Sequence, residues 1–275
     1  MYFKYDLKIG LRKNIICLLI VAAIVATAGA AFYFQISDEK SAGLLLPRDL
    51  NSMDYFLHIF EGMQSFDQFS DEKFQIPITW FLINMIVFYF TGKYPYSELY
   101  NNHGANVLLK GGSRRKWFFS KWLWSILCVI LYYFVAYVFV LIFCLAVQVP
   151  ISFDIKPIEY QYLLSPVLES TSIDTVKVMI LPIITSMAAV SIQLVVSLVT
   201  SAFMGFMFMA VLYIASAYYC TPFLIGNFSM LARSSIFLAG GISDVQAIIV
   251  SVMIMVLSVA ASIWVFRRQD IMERK

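Results

Sequence analysis

The run Gly111-Gly112-Ser113-Arg114-Arg115-Lys116-Trp117-Phe118-Phe119-Ser120-Lys121 sets four basic side chains directly against a long apolar stretch. Cations in such a place do electrostatic work; beside anionic headgroups each contributes roughly 1 kcal/mol. Upstream, residues 96–100 include Glu98 and Leu99, and residues 105–109 suit a short helix that Gly111 and Gly112 would end. A short helix lying parallel to a membrane fits a groove on a partner and passes the partner's movement to the segments on either side. The plain alternative is a solvated basic loop with no partner.

Bond-making chemistry finds no apparatus in this chain. Residues 104–112 contain glycines, but at the wrong spacing for a phosphate-cradling Gly-x-x-x-x-Gly-Lys-Ser/Thr loop, and no Lys-Ser or Lys-Thr pair closes them. Neither Gly-x-Ser-x-Gly nor His-Glu-x-x-His occurs. His58 and His103 fall on opposite sides of the membrane in the topology below and cannot share a metal. Cys17, Cys128, Cys144 and Cys220 have neither metal nor redox spacing and read as small hydrophobes. The chain is expected to be no enzyme and to hold no cofactor or metal of its own.

The elements that carry these residues are membrane spans. Of the 275 residues, 61% are hydrophobic and 13% charged, against about 45–50% and about 25% in soluble domains. Several runs reach the roughly 20 residues that a bilayer crossing needs. Six spans are predicted, at about residues 14–34, 76–91, 123–149, 178–200, 203–220 and 247–266. The fold class is all-α, a polytopic membrane protein forming one transmembrane domain over residues 1–275. The first run is too long for a signal-peptide core and reads as a retained span.

Orientation follows from Lys and Arg. With the N-terminus inside, 14 of the 20 basic residues lie inside. Both termini are therefore expected in the cytoplasm, with residues 93–116 as a cytoplasmic loop and residues 35–75, 150–177 and 221–246 outside. Residues 1–13 read as an interfacial helix with Lys4, Lys8 and Arg12 on one face and Phe3, Leu7 and Leu11 on another, or as a plain basic flank. In the first outer segment, Leu50, Met53, Phe56, Leu57, Phe60 and Met63 recur at helical spacing, with Asp54 and Glu61 off the stripe. That pattern fits an amphipathic helix on the outer membrane surface, or one packed on neighbouring spans. Residues 221–246 are apolar but broken by Pro222, Gly226, Gly240 and Gly241, which predicts short re-entrant or interfacial helices.

Polar residues within the spans are few. Ser186, Gln193, Ser197 and Thr200 share one face of the fourth span, and Asn84 stands alone in the second. They either line a translocation path or hydrogen-bond between helices. The spans contain essentially no ionisable groups except at their ends. Ion-coupled carriers usually keep such groups inside, so energy for uphill transport would enter through the cytoplasmic loop.

An acid, a short helix and then Leu-Leu-Lys-Gly-Gly-Ser-Arg-Arg-Lys-Trp-Phe-Phe-Ser-Lys resembles the loop between spans two and three of type-two ATP-binding-cassette (ABC) exporter permeases. The resemblance extends over nearly the whole chain: a basic N-terminal helix, six spans, a tight turn between spans four and five, and a broken outer segment before span six. It implies a coupling helix that docks on a separate cytoplasmic ABC ATPase subunit, which binds ATP and Mg. On this resemblance Glu98, Leu99, Leu108 and Leu109 fall where coupling contacts lie, and Arg114, Arg115, Lys116 and Lys121 match the loop's basic end. It also implies a second permease copy, surrounding membrane lipids, no nucleic acid, and a multi-pass place in a bacterial plasma membrane. Within that family the chain is similar to exporters of amphipathic or antimicrobial-type peptides, phenol-soluble modulins included. Exporters of lipids or cell-wall polymers share the architecture, and a sensor or immunity scaffold that transports nothing is the reading from another class.

Overall fold

Where no water is at hand, a backbone must satisfy its own hydrogen bonds, and each of the six long apolar runs is helical. The computed structural model describes residues 3, 5–7, 10, 15–41, 50–66, 73–100, 113–155, 174–238 and 240–268. The helices are α1 (Ile15–Ser41), α2 (Ser52–Phe60), α3 (Ile78–Tyr100), α4 (Arg114–Ala146), α5 (Thr175–Val199), α6 (Ala202–Tyr218) and α7 (Asp244–Arg268). Two 3-10 turns, Ile225–Ser229 and Leu231–Arg233, lie between α6 and α7. Among the described residues no strand forms; Ser234 and Ile242 make one isolated bridge. Four helices, α1, α4, α5 and α7, are long and apolar enough to cross a membrane, while α6 is apolar but shorter. The molecule is an all-helical membrane protein.

The helices overrun the predicted spans. The second continues through Glu98 to Tyr100 and the third begins at Arg114, so most of the residues expected as loop at 93–100 and 114–116 are helical. Ser113 starts α4 by accepting the Lys116 backbone N–H through its hydroxyl at 3.4 Å, which satisfies one orphan donor of the first turn. At 33 residues, α4 is about 50 Å long, well beyond the roughly 30 Å of a bilayer core.

Helix α5 is the hub. It packs on α3, α4, α6, α7 and the first 3-10 turn. Buried residues make up 61% of its apolar window, against 17% for α7, so α5 is central and α7 peripheral. Close approach explains two glycines: a Cβ at Gly92 of α3 would come within 2.4 Å of Gln193 Nε2, and one at Gly205 of α6 would strike Ser197 Oγ. Small interface residues let apolar helices come together.

Of the two readings of the stripe at residues 50–63, the structure shows the packed one, with the helix buried nearly all round. Met53, Tyr55, Phe56, Leu57, Ile59 and Phe60 of α2 all join the core, against α1, α3 and α4. Asp54, which the stripe left facing outward, is buried too, because it serves a capping box. Asn51 Oδ1 accepts the Met53 and Asp54 N–H groups, and Asp54 Oδ2 accepts the Asn51 N–H at 2.6 Å. Asn51 Nδ2 donates to the Asp154 carbonyl and Ser52 Oγ to that of Ser152, pinning α2 to the segment after α4.

Candidate functional site

Three ionisable side chains from three elements meet where α3 ends and α4 begins. Lys121 Nζ pairs with Asp6 and with Glu98. Their exposures are 2%, 0% and 8%, so this is a buried cluster and not a surface pair. The Tyr94 hydroxyl donates to Asp6 Oδ1 at 2.9 Å and the Ser120 hydroxyl to Asp6 Oδ2 at 2.6 Å. The ammonium also lies 4.8 Å from the Tyr94 ring centre and 5.4 Å from that of Trp117, close enough for cation–π attraction. Two carboxylates against one ammonium leave the trio with a formal charge of −1.

Helical periodicity places these groups. Asp6 and Gly10 form the buried face of the N-terminal helical residues. Gly10 is needed there, since a Cβ would come within 2.5 Å of Trp124 Nε1 on α4. Among the described residues here, Asp6 and Gly10 are buried and Phe3 and Leu7 half-buried, while Lys4, Lys8, Leu11 and Arg12 lie outside the described residues. Tyr94 and Glu98 stand one turn apart on α3, while Ser120 and Lys121 are adjacent on α4. An apolar layer of Cys17, Phe90, Tyr94, Trp124 and Cys128 lies beside them, with Phe3 packed on it.

The predicted coupling residues therefore separate. Glu98 and Lys121 are brought together, and Lys121 is a buried partner of carboxylates, not a headgroup cation. Arg114, Arg115 and Lys116 are exposed on the first turn of α4. Leu99 is in the last turn of α3. Leu108 and Leu109 lie outside the described residues. Glu98 and Lys121 lie outside the apolar runs at 76–91 and 123–149, which hold no charge, and they enter the packing because the helices run further than those apolar runs.

The polar stripe divides as well. Ser186 bonds the Tyr133 hydroxyl at 2.8 Å and donates to Asn84 Oδ1 at 3.4 Å, joining α5 to α4 and α3. Asn84 Nδ2 donates to the Trp80 carbonyl, and Gln193 Nε2 to that of Phe88 at 2.9 Å. Ser197 is buried against Gly205. Thr200 is exposed and returns its hydroxyl to the Val196 carbonyl. Within one chain, Asn84, Ser186 and Gln193 act as fastenings between helices.

A second buried cation occupies the far end. Arg233 is 1% exposed, and all five of its N–H donors are used. Nε donates to the Met63 carbonyl and Nη2 to those of Gln64 and Ala217, at 3.0, 3.0 and 2.7 Å. Nη1 donates to the Ser216 carbonyl and to Asn227 Oδ1. Ser216 and Ala217 belong to the last turn of α6, whose carbonyls lack helical partners and whose dipole favours a cation. Asn227 is held in turn by the Tyr219 and Thr221 carbonyls. This lock closes the broken segment onto the bundle as two short, buried 3-10 turns, where short re-entrant or interfacial helices were expected. Next to it, burial raises the Glu61 carboxyl to about 8 and lowers the His58 imidazole, each favouring its neutral form.

Asp6 and the role of Arg233 were not identified from sequence. The available signal was isolation. Asp6 is the only acid in residues 1–37, Glu98 the only one in 74–153, and Arg233 the only base in 178–266. A lone charge in a long apolar stretch needs a partner from elsewhere.

Among the described residues, no group of three His, Cys, Asp or Glu side chains is placed to hold a metal. Cys17, Cys128 and Cys144 are buried free thiols, while Cys220 is exposed. Residues 18–272 match the model of a family described as "Protein of unknown function (DUF2705)", and the chain belongs to that family. No curated protein and no solved structure matches it.

Proposed function

We propose that this chain is the membrane-spanning permease subunit of an ATP-driven exporter, coupled through residues 93–116 to a separate cytoplasmic ABC ATPase. In this reading the six long helices all cross the plasma membrane of a bacterium, both termini face the cytoplasm, and two permease copies work with two ATPase subunits. ATP and Mg are bound by the partner. The cargo is amphipathic or hydrophobic, a peptide first among candidates.

One observation carries the reading. The Glu98–Lys121 pair joins the last turn of α3 to the start of α4, across the base of residues 101–112. Asp6 ties the same point to the N-terminal helical residues. A push on that loop would reach three elements together, as a coupling device requires. The transmitted motion would open a path between the two permease copies, since Asn84, Ser186 and Gln193 are committed to bonds within one copy.

The test is co-expression of the full chain with ABC ATPase subunits from its own genome, followed by purification from membranes. A stable complex with ATPase activity is expected, and L108D/L109D should abolish it while the chain alone still elutes as a folded species. If no ATPase associates, the reading fails and the scaffold or secondary-carrier alternatives take its place.

A further inference from the structure

A groove of about 490 Å³ lies where the N-terminal helical residues, α4 and α7 come together. Its apolar walls are Phe3, Phe119, Leu123 and Ile263, and its two charged walls are Arg115 and Lys116. Ser120 also lines it, but its hydroxyl is committed to Asp6. Among the described residues that line it there is no carboxylate. From Arg115 to Leu123 the chain climbs about 12 Å along α4, passing from exposed cations to apolar side chains.

We infer that this groove is a binding site for one anionic phospholipid, with the phosphate at Arg115 and Lys116 and acyl chain along Phe119, Leu123 and Ile263. The lining selects the occupant by its chemistry. Two exposed cations at one end of the lining favour an anion over a zwitterion. An apolar wall adds nothing to the binding of a small soluble anion, but it suits a hydrocarbon tail. The passage from charge to apolar surface along α4 matches a lipid's passage from headgroup to chain, at the depth where a bilayer makes the same change. A lipid seated there touches three elements, one of which, α7, is otherwise the least buried of the long helices. The inference rests on the groove alone and holds whether or not an ATPase docks.

The full chain, purified in detergent, would be titrated with phosphatidylglycerol, with phosphatidylcholine and with inorganic phosphate, and bound lipid counted by native mass spectrometry. One phosphatidylglycerol per chain should be retained, phosphatidylcholine should not, and inorganic phosphate should fail to displace the lipid. R115Q/K116Q should weaken binding roughly thirtyfold, from the loss of two headgroup cations. Ile263→Trp, which fills the apolar wall and leaves both charges, should weaken it as well, and Leu123→Gln gives a second variant of the same kind should the first not fold. Lys93→Gln, which removes an exposed cation that does not line the groove, should leave binding unchanged. Equal retention of phosphatidylcholine would overturn the inference, as would displacement by phosphate. So would a Lys93→Gln effect as large as that of the double variant, or folded apolar-wall variants that bind normally.

Discussion

Lys121 and Arg233 are both buried cations, and they are held by opposite means. Lys121 is held by carboxylates from two other elements, with neighbouring hydroxyls completing the shell of Asp6. Among the described residues Arg233 is held without a carboxylate; four backbone carbonyls and one amide oxygen fill its fork. Charges paired with charges depend strongly on distance and on protonation. Carbonyl oxygens do not titrate, and the helix terminus that supplies two of them is fixed by its own hydrogen bonds. The basic end is therefore built so that a shift of one helix changes its energy, and the far end so that it stays closed.

The contrast breaks most visibly at Arg233. Arg233→Leu takes the donor from five acceptors, three of them in buried hydrogen bonds, and should destabilise the protein by about 4 kcal/mol, read as lost expression or a collapsed thermal midpoint in detergent. Arg233→Lys keeps the charge but not the planar fork, and should recover less than half of the loss. A tolerated Arg233→Leu would mean that the far end is held by apolar packing alone.

The basic end is the next test. Lys121→Met strands Asp6 and Glu98 together and should cost about 3–5 kcal/mol. Neutralising all three groups, as D6N/E98Q/K121M, should restore most of that stability while leaving any transmission through the pair absent. If Lys121→Met costs under about 1 kcal/mol, the cluster behaves as a solvated surface pair and the contrast disappears.

Glu61 gives the smallest and most specific effect. Its carboxyl is raised by burial to about 8, from an ordinary value of 4.5. Between those values the folded state binds more protons than the unfolded one, so the stability contributed by the neutral carboxyl is full below pH 4.5 and is lost as pH rises toward 8. Glu61→Gln cannot ionise. Its thermal midpoint should exceed that of the parent more at pH 8.5 than at pH 5. An equal difference at both pH values would show that Glu61 is solvated in the folded protein.

The helices were legible because apolar length alone forces them, and each of the six runs is found within a few residues of its expected core. Their ends were not legible at Glu98 and Lys121, since polar residues can continue a helix once neighbours satisfy them. The stripe on α5 was visible as a stripe, but its partners Tyr133, Asn84 and the Phe88 carbonyl come from other helices, and no periodicity encodes that. Asp6 and Lys121 are 115 residues apart, so spacing could not pair them. Asp54 looked like a solvent-facing residue because cap geometry, not hydropathy, is what buries it.

Helix α4 contains neither glycine nor proline in its 33 residues, whereas α3 carries Gly92 and Pro95 near the same end. Pro95 removes the hydrogen bond that would reach the Thr91 carbonyl, which leaves α3 a place to bend. The two helices joined by the Glu98–Lys121 pair thus differ as a rod differs from a hinged arm. A load applied at the first turn of an unbroken helix is carried along its whole length, whereas α3 can yield at Gly92–Pro95. The molecule has the parts of a crank, with the lever on one strut and the compliance on the other.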